Sequence, residues 1–210
     1  MTYGVITAFY MVLAALLNPS AWGINIWAFQ FVNSIANPAL NYIMALLAES
    51  FYIVLPLVAI YMIWRKDTNV YSFIVAVILL FIIGYGLKYA FQVPRPCSLP
   101  SLSWINAPAG CESGFSFPSD HAMVLTGLVF FIRKYRRVEI LYSIWMVLVL
   151  FGRIYLGAHY FTDVIAGAVI SLIIAYFIYR YRDMVYNTLK RFHLTILTPR
   201  EEATHIQHES

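Results

Sequence analysis

Three stretches of this 210-residue chain combine residue types that could work on a phosphoryl group. They are Lys88-Tyr-Ala-Phe-Gln-Val-Pro-Arg95-Pro96, Pro118-Ser119-Asp120-His121 and Arg153-Ile-Tyr-Leu-Gly-Ala-His159-Tyr-Phe-Thr-Asp163. A phosphoryl group in transfer spreads its charge over three non-bridging oxygens, so its catalysis is mostly positioning and neutralisation. Arg95 and Arg153 can each offer a planar fork to those oxygens, and Lys88 a point charge. Ser119 adds a neutral donor, and the backbone N–H groups of a helix starting after Pro118 add more, with a favourable dipole. His159 precedes Asp163 by four residues, so on a helix the two share a face. The carboxylate can then keep one imidazole nitrogen protonated while the other attacks phosphorus. The acids expected beside this cluster are Glu112, Asp120 and Asp163, with Glu49 alone inside an apolar run. They form no set suited to a metal ion, and no cofactor is implied.

The elements that must position these residues are membrane helices. Hydrophobic residues make up 61% of the chain and charged ones 11%, where soluble domains carry about a quarter charged. Crossing a bilayer core takes about 20 apolar residues. Apolar runs at 3–17, 39–64, 69–87, 120–132, 138–157 and 162–179 therefore predict an all-α bundle of six transmembrane helices. Residues 1–185 read as one membrane domain and 186–210 as a cytoplasmic tail, with His193, His205 and His208 as solvated surface. Nothing before Tyr3 supplies a basic region and no small-residue cleavage site follows the first run, so that run is expected to be a retained span. Residues 24–35 carry Ile24, Trp27, Phe31 and Ile35 at helical spacing, with Asn25, Gln30 and Asn33 elsewhere, and predict a helix lying in the membrane interface. The run at 120–132 is short for a crossing, so Ser119 is expected to lie in a recess below the outer surface.

Orientation follows from the basic residues. Eleven of the fourteen Lys and Arg fall at Arg65–Lys66, at 133–137, and at Arg180, Arg182, Lys190, Arg191 and Arg200. With six spans all of these lie on one side, which the positive-inside rule assigns to the cytoplasm together with both termini. The other three, Lys88, Arg95 and Arg153, lie at the opposite, extracytoplasmic face. Cations near the end of a span are costly unless paired, so their convergence predicts a bound anion. Cys97 and Cys111 share the outer loop, where an oxidising exterior permits a disulfide.

In pattern form the stretches read K-x6-R-P, P-S-D-H and R-x5-H-x3-D. In this order, each at the outer end of a predicted span, they resemble the three signature motifs of the type 2 phosphatidic acid phosphatase superfamily, which includes the vanadium haloperoxidases. The resemblance implies a multi-pass cell-membrane lipid phosphatase with an extracytoplasmic site. It implies His159 as the nucleophile of a phosphohistidine pathway and Asp163 as its orienter. His121 is then the acid that protonates the leaving oxygen and the base that activates water. Lys88, Arg95, Ser119, Asp120 and Arg153 surround the phosphate. Most members carry Gly where Asp120 stands; the P-S-D-H form resembles the branch acting on undecaprenyl diphosphate and similar polyprenyl diphosphates. An acid there should repel an anion, so Asp120 is expected to face away, to pair with a cation, or to tune a site for two phosphates. Phosphatidate, phosphatidylglycerophosphate or a glycolipid phosphate are alternative substrates, with hydrolysis and phosphotransfer both open. An anion transporter is disfavoured because Val70–Gly84 and Ala122–Ile132 are almost wholly apolar. The expected partners are a lipid phosphate and membrane lipids, not nucleic acid; oligomeric state is left open.

Overall fold

The computed structural model describes residues 23–108, 110–192 and 194. The expected first span and most of the tail lie outside these residues. All described secondary structure is helical: α1 (Gly23–Ile35), α2 (Pro38–Glu49), α3 (Phe51–Trp64), α4 (Asn69–Phe91), α5 (Asp120–Ile132), α6 (Arg136–Tyr155), α7 (Phe161–Arg180) and α8 (Arg182–Arg191). The expected boundary between residues 185 and 186 falls inside α8.

Among the described residues, three helices are long and apolar enough to cross a membrane: α4 with its extension to Ser98, α6 and α7. The run at 39–64 forms α2 and α3, which meet at a 43° bend and together have the length and apolarity of a fourth. At the bend the Ser50 hydroxyl bonds back to Leu47 O at 2.6 Å, a contact that bends helices.

α5 is the axle of the bundle. Ala122, Met123, Val124, Leu125, Leu128 and Ile132 are all fully buried, so this 13-residue helix meets protein rather than lipid along most of its length. Its main partner is α7. The two approach so closely at Gly127 that a Cβ there would lie 2.6 Å from both Ala175 Cβ and Ser171 Oγ. Outward-facing Leu57, Ile60, Ile78, Ile82, Ile144 and Ile173 leave the bundle surface apolar, as lipid requires. α1 forms where a helix was expected. Ile24, Trp27, Phe31 and Ile35 face outward, while Asn25 turns inward and exchanges two hydrogen bonds with Thr162, each 3.1 Å.

The two ends of the bundle differ. At one, buried Asp67 accepts from Tyr135 Oη at 2.9 Å and pairs with Lys134 at 2.7 Å, joining the α3–α4 and α5–α6 turns among the clustered basic residues. The other end, about 28 Å away along α4 at 1.5 Å per residue, carries the three motifs.

Candidate active site

At that end the chain leaves α-helical structure between α4 and α5 and between α6 and α7. Between α4 and α5 it runs through two 3₁₀ turns, Pro96–Ser98 and Pro100–Leu102, and is tied by a disulfide between Cys97 and Cys111. Between α6 and α7 it turns sharply at Gly157, whose φ of +65° favours glycine and whose Cβ would meet Asn106 O at 2.9 Å. These two loops and the start of α5 bring all the motif residues together.

His159 is 1% exposed and stands before α7, not on it. Its Nδ1 lies 2.8 Å from the Ser116 carbonyl. A carbonyl only accepts, so Nδ1 carries the proton and Nε2 keeps its lone pair. The Asp163 carboxylate is 3.7 Å from Nδ1, beyond a hydrogen bond. It accepts from the Ser116 hydroxyl instead, and from Tyr160 N at 3.0 Å, which caps the start of α7. The expectation that Asp163 holds the imidazole across one helical turn is thus corrected. The turn at Gly157 places His159 in a loop, Ser116 stands between the two, and its carbonyl does the holding. Sequence reasoning missed Ser116, since a backbone carbonyl carries no side-chain signature.

One cation meets Nε2 directly. Arg95 Nη1 is 3.3 Å from it and donates to Ala158 O at 2.9 Å. Arg153 is 3% exposed. Lys88 Nζ donates to Phe115 O and Pro118 O, both at 2.9 Å, and pairs with Asp120 at 3.5 Å. Asp120 therefore takes one of the places expected for it, beside a cation. Burial first, then Arg153, Arg95 and Lys88, hold the His159 imidazole well below its ordinary pKa, leaving it neutral. Glu112 bridges Arg153 at 2.5 Å and Arg95 at 3.2 Å, a contact that spacing did not disclose. Burial pushes its carboxyl up, but Arg153 and Arg95 outweigh that and hold it below the usual range.

Ser119 is the fully buried N-cap residue of α5. Its Oγ, His121 Nε2, Arg95 Nε and Arg153 Nε are buried polar atoms without a partner; such atoms are costly unless a ligand or water meets them. The His121 ring packs against Phe51 with centroids 4.6 Å apart, so the α2–α3 break helps place it. A cavity of about 310 Å³ is lined by His159, His121, Arg153, Glu112, Asp120 and Glu49, among others. It adjoins an apolar cavity of about 440 Å³ between α3 and α4, and Phe51, Tyr52 and Phe81 line both. Among the described residues no group of three or more His, Cys, Asp or Glu is placed to hold a metal ion.

The PAP2 superfamily profile matches residues 69–186, which hold every motif and both loops. This chain belongs to the PAP2 superfamily. It is similar to the undecaprenyl-diphosphatase of Sulfolobus acidocaldarius, 30% identical over 154 residues that cover 69% of this chain and 72% of that protein. It is equally similar to the lipid A 4'-phosphatase of Porphyromonas gingivalis, 30% identical over 165 residues, 72% of this chain and 70% of that one. The crystal structure of Aquifex aeolicus LpxE superposes with a TM-score of 0.66 at 25% identity, over 77% of this chain and 98% of that chain. The chain is thus a membrane phosphatase of the PAP2 type, acting on lipid phosphates.

Proposed function

We propose that this phosphatase converts a polyprenyl diphosphate to its monophosphate at the extracytoplasmic face, through a phosphohistidine on His159. The observation that carries the chemistry is the Arg95 guanidinium at 3.3 Å from the Nε2 lone pair of His159, with Arg153 and Lys88 buried in the same site and unpartnered donors on both arginines and Ser119. Nε2 attacks the terminal phosphorus, the bond from phosphorus to the bridging oxygen breaks, and polyprenyl phosphate departs. The positive charge gained by the imidazole is met by the Ser116 carbonyl and the Asp163 carboxylate. His121 then takes a proton from water as the water oxygen attacks the phosphohistidine, releasing inorganic phosphate and restoring His159. In a monoester substrate the same residue would first protonate the leaving alkoxide.

The diphosphate substrate is supported by the P-S-D-H motif and by the similarity to the Sulfolobus undecaprenyl-diphosphatase. The apolar cavity between α3 and α4 suits the lipid chain beside a polar cavity that suits its head. The equal similarity to a lipid A 4'-phosphatase favours a monoester of a glycolipid as the second reading. Six spans, an α1 lying in the interface and both termini in the cytoplasm complete the proposal. Purified protein assayed against undecaprenyl diphosphate, lipid A, phosphatidate and phosphatidylglycerophosphate tests it. The diphosphate should have the highest kcat/KM, and a higher value for any monoester refutes the substrate assignment.

A further inference from the structure

Glu112 makes the contact in the site that most directly opposes anion binding, because it occupies both arginines at once. Its two carboxylate oxygens engage Arg153 Nη2 at 2.5 Å and Arg95 Nη1 at 3.2 Å, spanning two guanidinium forks as two phosphate oxygens would. The acid sits at the mouth of the site and the arginines at its floor: side-chain exposure is 47% for Glu112, 7% for Arg95 and 4% for Arg153. Its backbone is irregular, and it directly follows Cys111, which the disulfide ties to Cys97 two residues beyond Arg95. That tether keeps the carboxylate within reach of the arginines when its side chain swings aside.

We propose that Glu112 is an internal stand-in for phosphate, which yields Arg95 and Arg153 to the head of a lipid substrate and returns to displace inorganic phosphate after hydrolysis. This rests on the reading of the site as a phosphate cradle. Three buried cations would otherwise retain the product. A competing carboxylate lowers the apparent affinity of every incoming anion by the same factor, the reciprocal of the fraction of sites it leaves open. A lipid-borne phosphate offsets that factor because the membrane holds it at high effective concentration beside the site. Free phosphate has no such advantage.

The test is calorimetric titration of inorganic phosphate into the purified full-length protein and its E112Q and E112D variants. Loss of a bridging, charge-assisted contact should tighten phosphate binding by about 10- to 100-fold in E112Q. E112D, whose shorter arm keeps the charge but not the bridge, should fall between E112Q and the parent, and tests the proposal alone if E112Q does not fold. Rapid kinetics with a phosphate sensor should show release slowed in E112Q relative to phosphoenzyme formation. Unchanged or weaker phosphate binding in the variants, with binding to the parent intact, overturns the role of Glu112 alone. No binding to any of the three overturns the cradle itself, and this proposal with it.

Discussion

Replacing Asp163 by Asn tests how the site carries positive charge on His159. On the proposed pathway the imidazole becomes cationic as Nε2 bonds to phosphorus, with its Nδ1 proton on the Ser116 carbonyl and Asp163 Oδ2 at 3.7 Å. At an effective dielectric of about 20, unit charges at that separation of 3.7 Å interact by about 4–5 kcal/mol, or about 2 kcal/mol when the cation is half formed. At about 1.4 kcal/mol per decade this is a loss of about 30-fold to 10³-fold in the rate of phosphoenzyme formation. Asn keeps an oxygen for Tyr160 N and for the Ser116 hydroxyl, so the start of α7 should persist. Rapid-quench measurement should therefore show kcat and kcat/KM falling together with KM little changed, the pattern of an interaction gained in the transition state. A loss below about threefold, or one confined to KM, would refute the electrostatic role. Ser116→Ala should cost about tenfold, since it removes a hydrogen bond to a charged group but not the carbonyl that holds Nδ1. Because Ser116 and Asp163 form one network, the two losses should not multiply in the double variant; full multiplication would separate them.

His121→Ala should slow phosphoenzyme formation from a monoester by about 10²- to 10⁴-fold more than from a diphosphate, whose leaving group departs without a proton; equal single-turnover losses would assign the acid elsewhere. Gly127→Ala should destabilise by about 1–3 kcal/mol through overpacking of the α5–α7 seam, and an unchanged melting temperature would show that the seam can open freely. Replacing Cys97 and Cys111 together by Ser frees a loop closed over a sequence separation of 14. The chain-entropy estimate for such a loop is about 3 kcal/mol, so melting temperature and phosphate affinity should both fall; no change in either would leave the disulfide without a part in holding the site.

The residues of the cradle were legible because each motif sits at the end of an apolar run. A run long enough to cross a membrane becomes a helix, and the residue after its last turn is placed by that helix. Lys88 at the end of α4, Ser119 at the start of α5 and Arg153 at the end of α6 all follow this rule. The disulfide partners were legible for a similar reason, since these two cysteines share one loop. The relation between His159 and Asp163 was not, although the spacing of four is correct. Spacing alone does not distinguish one turn of a helix from a loop that enters a helix, and the left-handed turn at Gly157 makes it the latter.

Composition and motif order by themselves determined that the chain is a helical membrane protein that gathers three cations and two histidines at one end. Those are consequences of how many residues water will not solvate and of what charged groups can do near lipid. The tertiary structure alone decided which groups serve those residues: the Ser116 carbonyl on Nδ1, the Ser116 hydroxyl between His159 and Asp163, Lys88 on Asp120, and Glu112 across the two arginines. Each of these joins segments that are distant in sequence or held by irregular backbone. Their geometry is set by how the loops close over α5 and by the mutual attraction of charges brought out of water, and no local pattern of residues encodes either.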